Sequence, residues 1–437
     1  MLIAKNGKEL HLLPEMSNRH GLIAGSSGSG KTITLRVMAE NFSKIGVPVF
    51  MADVKGDLTG LDRSGIETPE IVERAASMHL KDFSFEGFPT RQWDVFGQEG
   101  EELKVSINKL TPLLLSRLLN LSDVQNESLA QIFKIVGDYS NKISGVLNAQ
   151  DGQDGSFAQA CQLVKEYSST PDIIEINNIE DMTTTINKII DFSANLEPRY
   201  GKISKQSYTS IQRSMLMLEQ DGKDVLFSDT PFDVTRFIKT ENDYGVINIF
   251  KARRLYDNPT VYATFLLWLI AELYKALPEC GDIKKPKMVF FFDEAHLLFD
   301  GAPKVLIDNV EKLVRLIRSK GVGIFFITQR PSDIPDKVLA QLSNRVQHSL
   351  RAFTPKEQKS IRTIAQTFRN ESRLDVEKAI GRLKIGEALI SFLDAEGSPV
   401  PVKKALVCPP RSNITGGLVS IKTNELSTVD SIFESII

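Results

Sequence analysis

One string of eight residues constrains this chain more than any other: Gly25, Ser26, Ser27, Gly28, Ser29, Gly30, Lys31 and Thr32. It has the form GxxxxGK followed by Ser or Thr, and a chance match in a chain of this size is roughly a one-in-a-hundred event at average composition. Its setting matters as much as its letters. Residues 21–24 read as a short buried strand. Residues 31–44 have helical character, with Ile33, Val37, Phe42 and Ile45 recurring on roughly one side. Residues 47–52 read as a second apolar strand ending at Asp53. Strand, glycine-rich loop, helix and strand in succession predict a βαβ unit with a right-handed connection. The glycines at 25, 28 and 30 let the backbone wrap closely, so that amides converge on phosphate oxygens at the positive end of the helix. Lys31 supplies a compact cation to the β- and γ-phosphates, and Thr32 offers its hydroxyl to Mg2+. The plainer alternative is a flexible Gly/Ser turn.

A phosphate loop needs a metal site and a water site, and the chain offers both far downstream. Val289–Phe292 is an apolar strand that ends in Asp293 and Glu294, the form of a Walker B element. Asp293 would hold Mg2+ through its water shell, and Glu294 would orient and deprotonate the attacking water. Alone, two adjacent carboxylates could be a surface turn. Beside the phosphate loop they gain weight, because one metal must meet both Thr32 and Asp293. His296 follows at once and is more often a structural neighbour than a ligand. Gly323–Thr328 is a third strand, ending in Gln329. Parallel strands present their C-terminal ends to ligands, so Gln329 is predicted near the γ-phosphate as a sensor of hydrolysis; the bland alternative is a polar strand terminus.

Composition sets the class. Hydrophobic residues are 42% and charged residues 25%, a globular mixture that excludes a mostly disordered chain. The formal net charge is −2, so any nucleic-acid site must be a local patch. Cys161, Cys280 and Cys408 lie far apart with no CxxC pair, which excludes a disulfide framework, argues against a cysteine zinc site and fits a reducing cytosol. Lys5, Lys8 and Glu9 interrupt the N-terminus before an apolar run develops, unlike a signal peptide. The longest apolar stretch, Phe265–Ala271, falls far short of the ~20 residues of a spanning helix. The expectation is a soluble cytoplasmic protein with no membrane partner.

The pattern along the chain predicts an α/β fold of RecA-like P-loop type, with a mainly parallel central sheet and a helical insertion. Residues 1–59 form the first part of the core. Residues 60–225 read as mainly helical, with one stripe at Leu110, Leu113, Leu114, Leu118 and Leu121 and another at Ile179, Thr183, Ile186, Ile189 and Ile190. A Gly/Asp-rich loop at 149–155 punctuates this region. Residues 226–410 resume strand–helix alternation as the second part of the core, with Met288–Phe292 continuous enough for a strand covered on both faces. Glu387–Phe392 and Val400–Val407 read as paired strands around a turn at 395–398. Residues 411–437 read as a mobile tail with a short amphipathic helix, Val429, Ile432, Phe433 and Ile436 behind a Ser427/Asp430 cap. That helix could dock on its own domain or reach a neighbouring subunit.

Charge is uneven. Residues 312–373 hold thirteen lysines and arginines against four acidic residues. Such a segment is a solvated or ion-paired face, a source of arginines for a neighbour's nucleotide, or a contact for nucleic-acid phosphates. Arg315 and Arg318 lie three apart on a helix before the sensor strand. An arginine acting in trans requires a ring or dimer; Arg318 is the first candidate and Arg345 the second.

Taken in order, the phosphate loop, Asp53–Asp57 (DVKGD), Phe291–Leu298 (FFDEAHLL), Ile317–Gly323 (IRSKGVG) and Thr328–Pro335 (TQRPSDIP) resemble the HerA-like branch of the HerA/FtsK P-loop ATPases, and more closely its bacterial YjgR group, over residues 1–408. The resemblance implies a RecA-like fold of the additional-strand, catalytic-glutamate type, with Glu294 as base. It implies a homo-oligomeric ring, commonly a hexamer, with ATP and Mg2+ as cofactors and movement along double-stranded DNA. It also implies a nuclease or other protein partner. Only 24 residues precede Gly25, so the amino-terminal β-barrel of HerA itself is not expected. Three functions fit the residues: a DNA motor, an ATPase switch that acts on a protein partner without DNA, and a small-molecule kinase. The Asp-Glu pair disfavours the kinase, because it suits activation of water.

Overall fold

Glycine, apolar and β-branched residues at 21–24 and 49–53 give two strands that are buried on both faces, β3 (Gly21–Ala24) and β4 (Val49–Asp53), joined through helix α1 (Lys31–Lys44). The computed structural model describes residues 1–80, 83–148, 176–220, 226–228, 230, 232–256, 258–281, 283–300, 302, 304–371 and 374–414. The 149–155 loop, Cys161 and the amphipathic tail helix lie outside the described residues.

The other strands are β1 (Leu2–Asn6), β2 (Lys8–His11), β5 (Thr90–Asp94), β6 (Glu101–Glu102), the hairpin β7 (Thr240–Glu241) and β8 (Tyr244–Gly245), and then β9 (Ile247–Lys251) and β10 (Met288–Phe292). They continue with β11 (Val322–Thr328), β12 (Asn344–Gln347), β13 (Glu387–Ser391) and β14 (Lys403–Val407). All but the hairpin join one 12-stranded sheet in the order β2-β1-β14-β13-β12-β3-β11-β10-β4-β9-β5-β6. From β12 to β5 neighbouring strands run parallel, and β13, β14, β1 and β2 extend the sheet antiparallel. Strand β11 lies between β3 and β10, so the additional strand separates the phosphate-loop strand from the acidic one.

The central parallel strands β3, β11, β10, β4 and β9 are almost wholly buried, as a sheet covered on both faces requires. Every residue of β10 is buried. Phe291 and Phe325 stack at 5.3 Å, and Phe42 of α1 lies 6.3 Å from each. Phe290 faces the other way and meets Phe50 at 5.1 Å. Period-two alternation thus feeds two cores from one strand.

The chain divides into two compact units. One comprises Met1–Glu101, Val234–Ala263 and Leu269–Ile437; the other comprises Glu102–Asp233 with Thr264–Trp268. The expectation that 60–225 forms a mainly helical insertion needs a correction at its start. Thr90–Asp94 is a strand paired parallel to β9, and residues 60–101 belong with the sheet. The segment TRQWD carries one large apolar residue, Trp93, so it lacks the alternation that marks a strand. From residue 102 the unit is helical, with helices at Pro112–Leu118, Asp123–Asn148, Ile179–Asp191, Ser193–Tyr200 and Lys205–Gln220. Its buried face on Ile179–Asp191 is Met182, Thr185, Ile186 and Ile189, a small rotation from the stripe the sequence suggests. No helix among the described residues is long and apolar enough to cross a membrane.

Candidate active site

The loop after β3 turns through Gly28 (φ +71) and Gly30 (φ +112), and Gly30 caps α1. Gly25 is required by space, since a Cβ there would lie 2.5 Å from the Cβ of His348. The loop is pinned from β12 and its sequel. Ser26 N donates to Ser349 O at 2.8 Å, and Gly386 N donates to Ser29 O at 3.1 Å. Ser29 Oγ closes the turn on Ser26 O at 2.7 Å. Lys31 Nζ donates to Gly25 O (2.6 Å) and Ser26 O (3.0 Å), across the cradle formed by the loop. Burial lowers the Lys31 pKa first and Lys55 adds to that, against Glu294, Asp293 and Asp57.

His348, which sequence reasoning passed over, supports this loop. Its Nδ1 donates to Glu387 O at 3.0 Å, which leaves Nε2 to accept from Thr34 Oγ1 at 2.8 Å. Burial pushes it down to about 4, so it is neutral.

Because β3, β11 and β10 run parallel, their C-terminal ends open at one edge of the sheet. Ala24 pairs with Thr328 and Phe326 with Phe292, so the phosphate loop, Gln329 and Asp293-Glu294 follow at neighbouring positions. Ser27 Oγ reaches Gln329 Oε1 at 3.5 Å, and Gln329 Nε2 donates to Glu294 Oε1 at 3.2 Å. The structure thus brings Gln329 to the acidic pair and the loop.

Glu294 is only 2% exposed and sits at φ +47, a left-handed conformation that a non-glycine residue rarely adopts. Lys55 Nζ lies 2.5 Å from its Oε1. His296 Nδ1 lies 3.3 Å from Oε2, close enough for an ion pair, and among the described residues neither atom has another partner. Burial alone would raise the Glu294 pKa; His296, Lys55 and Gln329 overcome it and hold the carboxyl at about 2. Asp293 is pushed up to about 6, mainly by burial, with Lys55 opposing and Glu294 adding to the rise. Its Oδ1 accepts from Glu294 N at 2.9 Å, and its carbonyl accepts from Tyr262 OH at 3.1 Å.

Thr32 Oγ1 donates to Asp57 Oδ2 at 3.1 Å, a partner that spacing alone did not reveal. Asp53 anchors the same loop: its Oδ1 accepts from Gly56 N at 2.7 Å and its Oδ2 lies 3.5 Å from Lys251 Nζ. Lys55 and Asp57 carried a signal of a kind, since DVKGD ends a strand that runs parallel to the acidic one. Among the described residues no three His, Cys, Asp or Glu side chains gather as a self-sufficient metal cage.

Arg318 is not brought to this site. It lies exposed before β11, at the N-terminal end of the parallel strands, near enough to His20 to disfavour its charge. Arg345 is half-buried in β12, its Nε donating to Leu342 O at 3.3 Å, and burial lowers its pKa. Several cations of the basic segment have acidic partners: Arg330 with Glu357 (3.0 Å), Lys337 with Asp308 (2.7 Å) and Arg362 with Glu377 (3.4 Å).

Residues 2–141 and 141–434 match the family described as helicase HerA-like C-terminal. A stretch of 186 residues, 40% of this chain, is 25% identical to the probable helicase MJECL08 of Methanocaldococcus jannaschii. The match spans 33% of that protein's length. Among solved structures, the bacterial conjugative coupling protein TrwB in unbound form aligns at TM-score 0.56 and 14% identity, over 94% of this chain and 90% of its own. The same plasmid coupling protein in complex with ADP and Mg2+ aligns at TM-score 0.51 and 14% identity, over 91% and 86%. At that identity the likeness is one of fold, that of the RecA-like P-loop ATPases.

Proposed function

From the premise that the chain belongs to the HerA-like C-terminal helicase family, we propose that it is an ATP-hydrolysing motor, an oligomeric ring, commonly hexameric in this family, that translocates on or remodels double-stranded DNA. The observation that carries the hydrolytic part is the chain of contacts Ser27–Gln329–Glu294, which ties the phosphate loop to a buried carboxylate. TrwB, with the same fold, is solved with ADP and Mg2+.

The residues suit ATP and Mg2+. The Thr32 hydroxyl, Asp57 and the buried Asp293 are hard oxygen donors, and a site of few carboxylates is what Mg2+ accepts when substrate phosphates complete its shell. Held by these donors, Mg2+ would supply positive charge to the phosphate oxygens. Loop amides from Ser26 to Thr32, at the positive end of α1, orient the phosphates, and Lys31 turns from the loop carbonyls to them. Glu294 takes the proton of the attacking water, and Gln329, bonded to the same carboxylate, positions that water against the γ-phosphorus. Arg318 supplies positive charge to a neighbouring subunit's nucleotide, with Arg345 the second choice. Mixing Arg318→Ala subunits with Lys31→Ala subunits then restores part of the turnover that each lacks; no restoration excludes Arg318 acting in trans.

ATPase rate with and without duplex DNA, on material of known mass by light scattering, tests the reading. A motor is stimulated by DNA, and the stimulation falls steeply with salt as phosphate contacts displace counterions. An oligomer whose turnover ignores DNA is instead an ATPase switch acting on a protein partner. A nuclease or other protein partner is proposed on the family resemblance.

A further inference from the structure

Lys55 stands where the metal side and the water side of the site meet. Its ammonium is 2.5 Å from Glu294 Oε1, yet the two groups differ in freedom: the Lys55 side chain is 41% exposed and that of Glu294 is 2% exposed. Two residues on, Asp57 Oδ2 accepts a hydrogen bond from the Thr32 hydroxyl. One short loop therefore touches both the first helical turn after the phosphate loop and the carboxylate assigned as base. Gly56, between the two contacts, has φ +78 and open space where a Cβ would stand, so the loop can turn there without a clash. Asp53 holds the loop's start through Gly56 N.

A carboxylate whose oxygen is occupied by an ammonium is a poor acceptor for a water proton. That ammonium is not the carboxylate's sole neighbour: Gln329 also donates to Oε1, and His296 lies beside Oε2. Lys55 also lies close enough to Lys31 to disfavour its charge, so the two ammonium groups border the same pocket. A triphosphate brought onto the loop offers Lys55 a stronger anionic partner, because phosphate oxygens carry more charge than one carboxylate.

We propose that Lys55 is a positioning residue, a movable clamp that pairs with Glu294 in the nucleotide-free protein and shifts to the terminal phosphate of a bound nucleoside triphosphate, freeing Glu294 for the water. The proposal rests on the ATPase reading above. It ties base release to the presence of the third phosphate, so the diphosphate leaves the clamp shut.

The test uses the full chain with Lys55→Met, Glu294→Gln and the double variant, and reads melting temperature and nucleotide affinity. Without nucleotide, Lys55→Met lowers the melting temperature by about 2–4 °C, and Glu294→Gln removes most of that difference. With Mg2+ and a non-hydrolysable ATP analogue the coupling vanishes; with ADP it persists. Lys55→Met weakens the analogue about tenfold and ADP less than about twofold, as loss of one charged hydrogen bond predicts. Lys55→Arg keeps both affinities. Coupling that is equally strong with the analogue, or equal weakening of both nucleotides, overturns the clamp and leaves a permanent structural pair. A wild-type chain that binds neither nucleotide overturns the ATPase reading and the clamp with it, a result distinct from the other two because they require wild-type binding.

Discussion

Two residues at opposite ends of the parallel strands share burial and a positive φ and differ in what holds them. His20 precedes β3, and Glu294 follows β10; each is 2% exposed and each has positive φ, +57 and +47. His20 is satisfied by the backbone. Its Nδ1 accepts from Ile324 N at 3.0 Å, so its Nε2 carries the proton and donates to Val314 O at 2.7 Å. Glu294 is held by side chains, Lys55 and Gln329 from distant loops on Oε1 and the nearby His296 beside Oε2. Burial with fixed backbone partners is a joint in the fold. Burial with side-chain partners that can leave, at the ends of strands facing a glycine-rich loop, is a site.

The comparison is broken most sharply by Glu294→Gln. Turnover should fall roughly 10²–10⁴-fold, the scale of a lost general base, while ATP binding and melting temperature hold. Rapid turnover in that variant contradicts the assignment. Lys31→Ala should also abolish hydrolysis, and it should weaken nucleotide binding in addition, as calorimetric titration would show.

At the other end, His20→Leu should leave nucleotide affinity unchanged and destabilise the fold. It strips partners from two buried backbone groups, at roughly 1–3 kcal/mol each, and denaturant titration reads the loss. An acid titration sharpens the same point. Burial pushes His20 down to about 4 from an ordinary value near 6.5. Between those values the unfolded chain binds the proton that the folded chain refuses. Stability should therefore be full above pH 6.5 and fall toward pH 4, by roughly 3 kcal/mol at most from this residue. A flat urea midpoint from pH 7 to pH 5 would contradict the buried neutral imidazole. The smallest effect belongs to the surface: Lys337→Ala, which removes an exposed pair with Asp308, should move the melting temperature by no more than about a degree.

The sheet's centre and the phosphate loop were legible because their signals are local. A four- to seven-residue apolar run, or a glycine-spaced loop between strand and helix, contains its own explanation. Partners were not legible, since Lys55 and Glu294 lie in different strand loops and no spacing rule joins them. His348 escaped for the same reason, and so did the pairing of Asp57 with Thr32. Strand β12, with the sequence NRVQ, is short and polar, and β5 has one large apolar residue. The β1–β2 hairpin turns at Gly7, which lies between the paired Asn6 and Lys8 and takes φ +80, a conformation glycine adopts freely.

The central claim is that the loop from Gly25 to Thr32 and the Asp293-Glu294 pair serve one magnesium triphosphate. A structure with Mg2+ and a non-hydrolysable ATP analogue tests it most directly. The account predicts phosphates on the loop amides, a metal joining Thr32 to Asp293, and Glu294 turned toward the terminal phosphate. A loop that binds nothing, or an acidic pair that faces away from the phosphates, would contradict it.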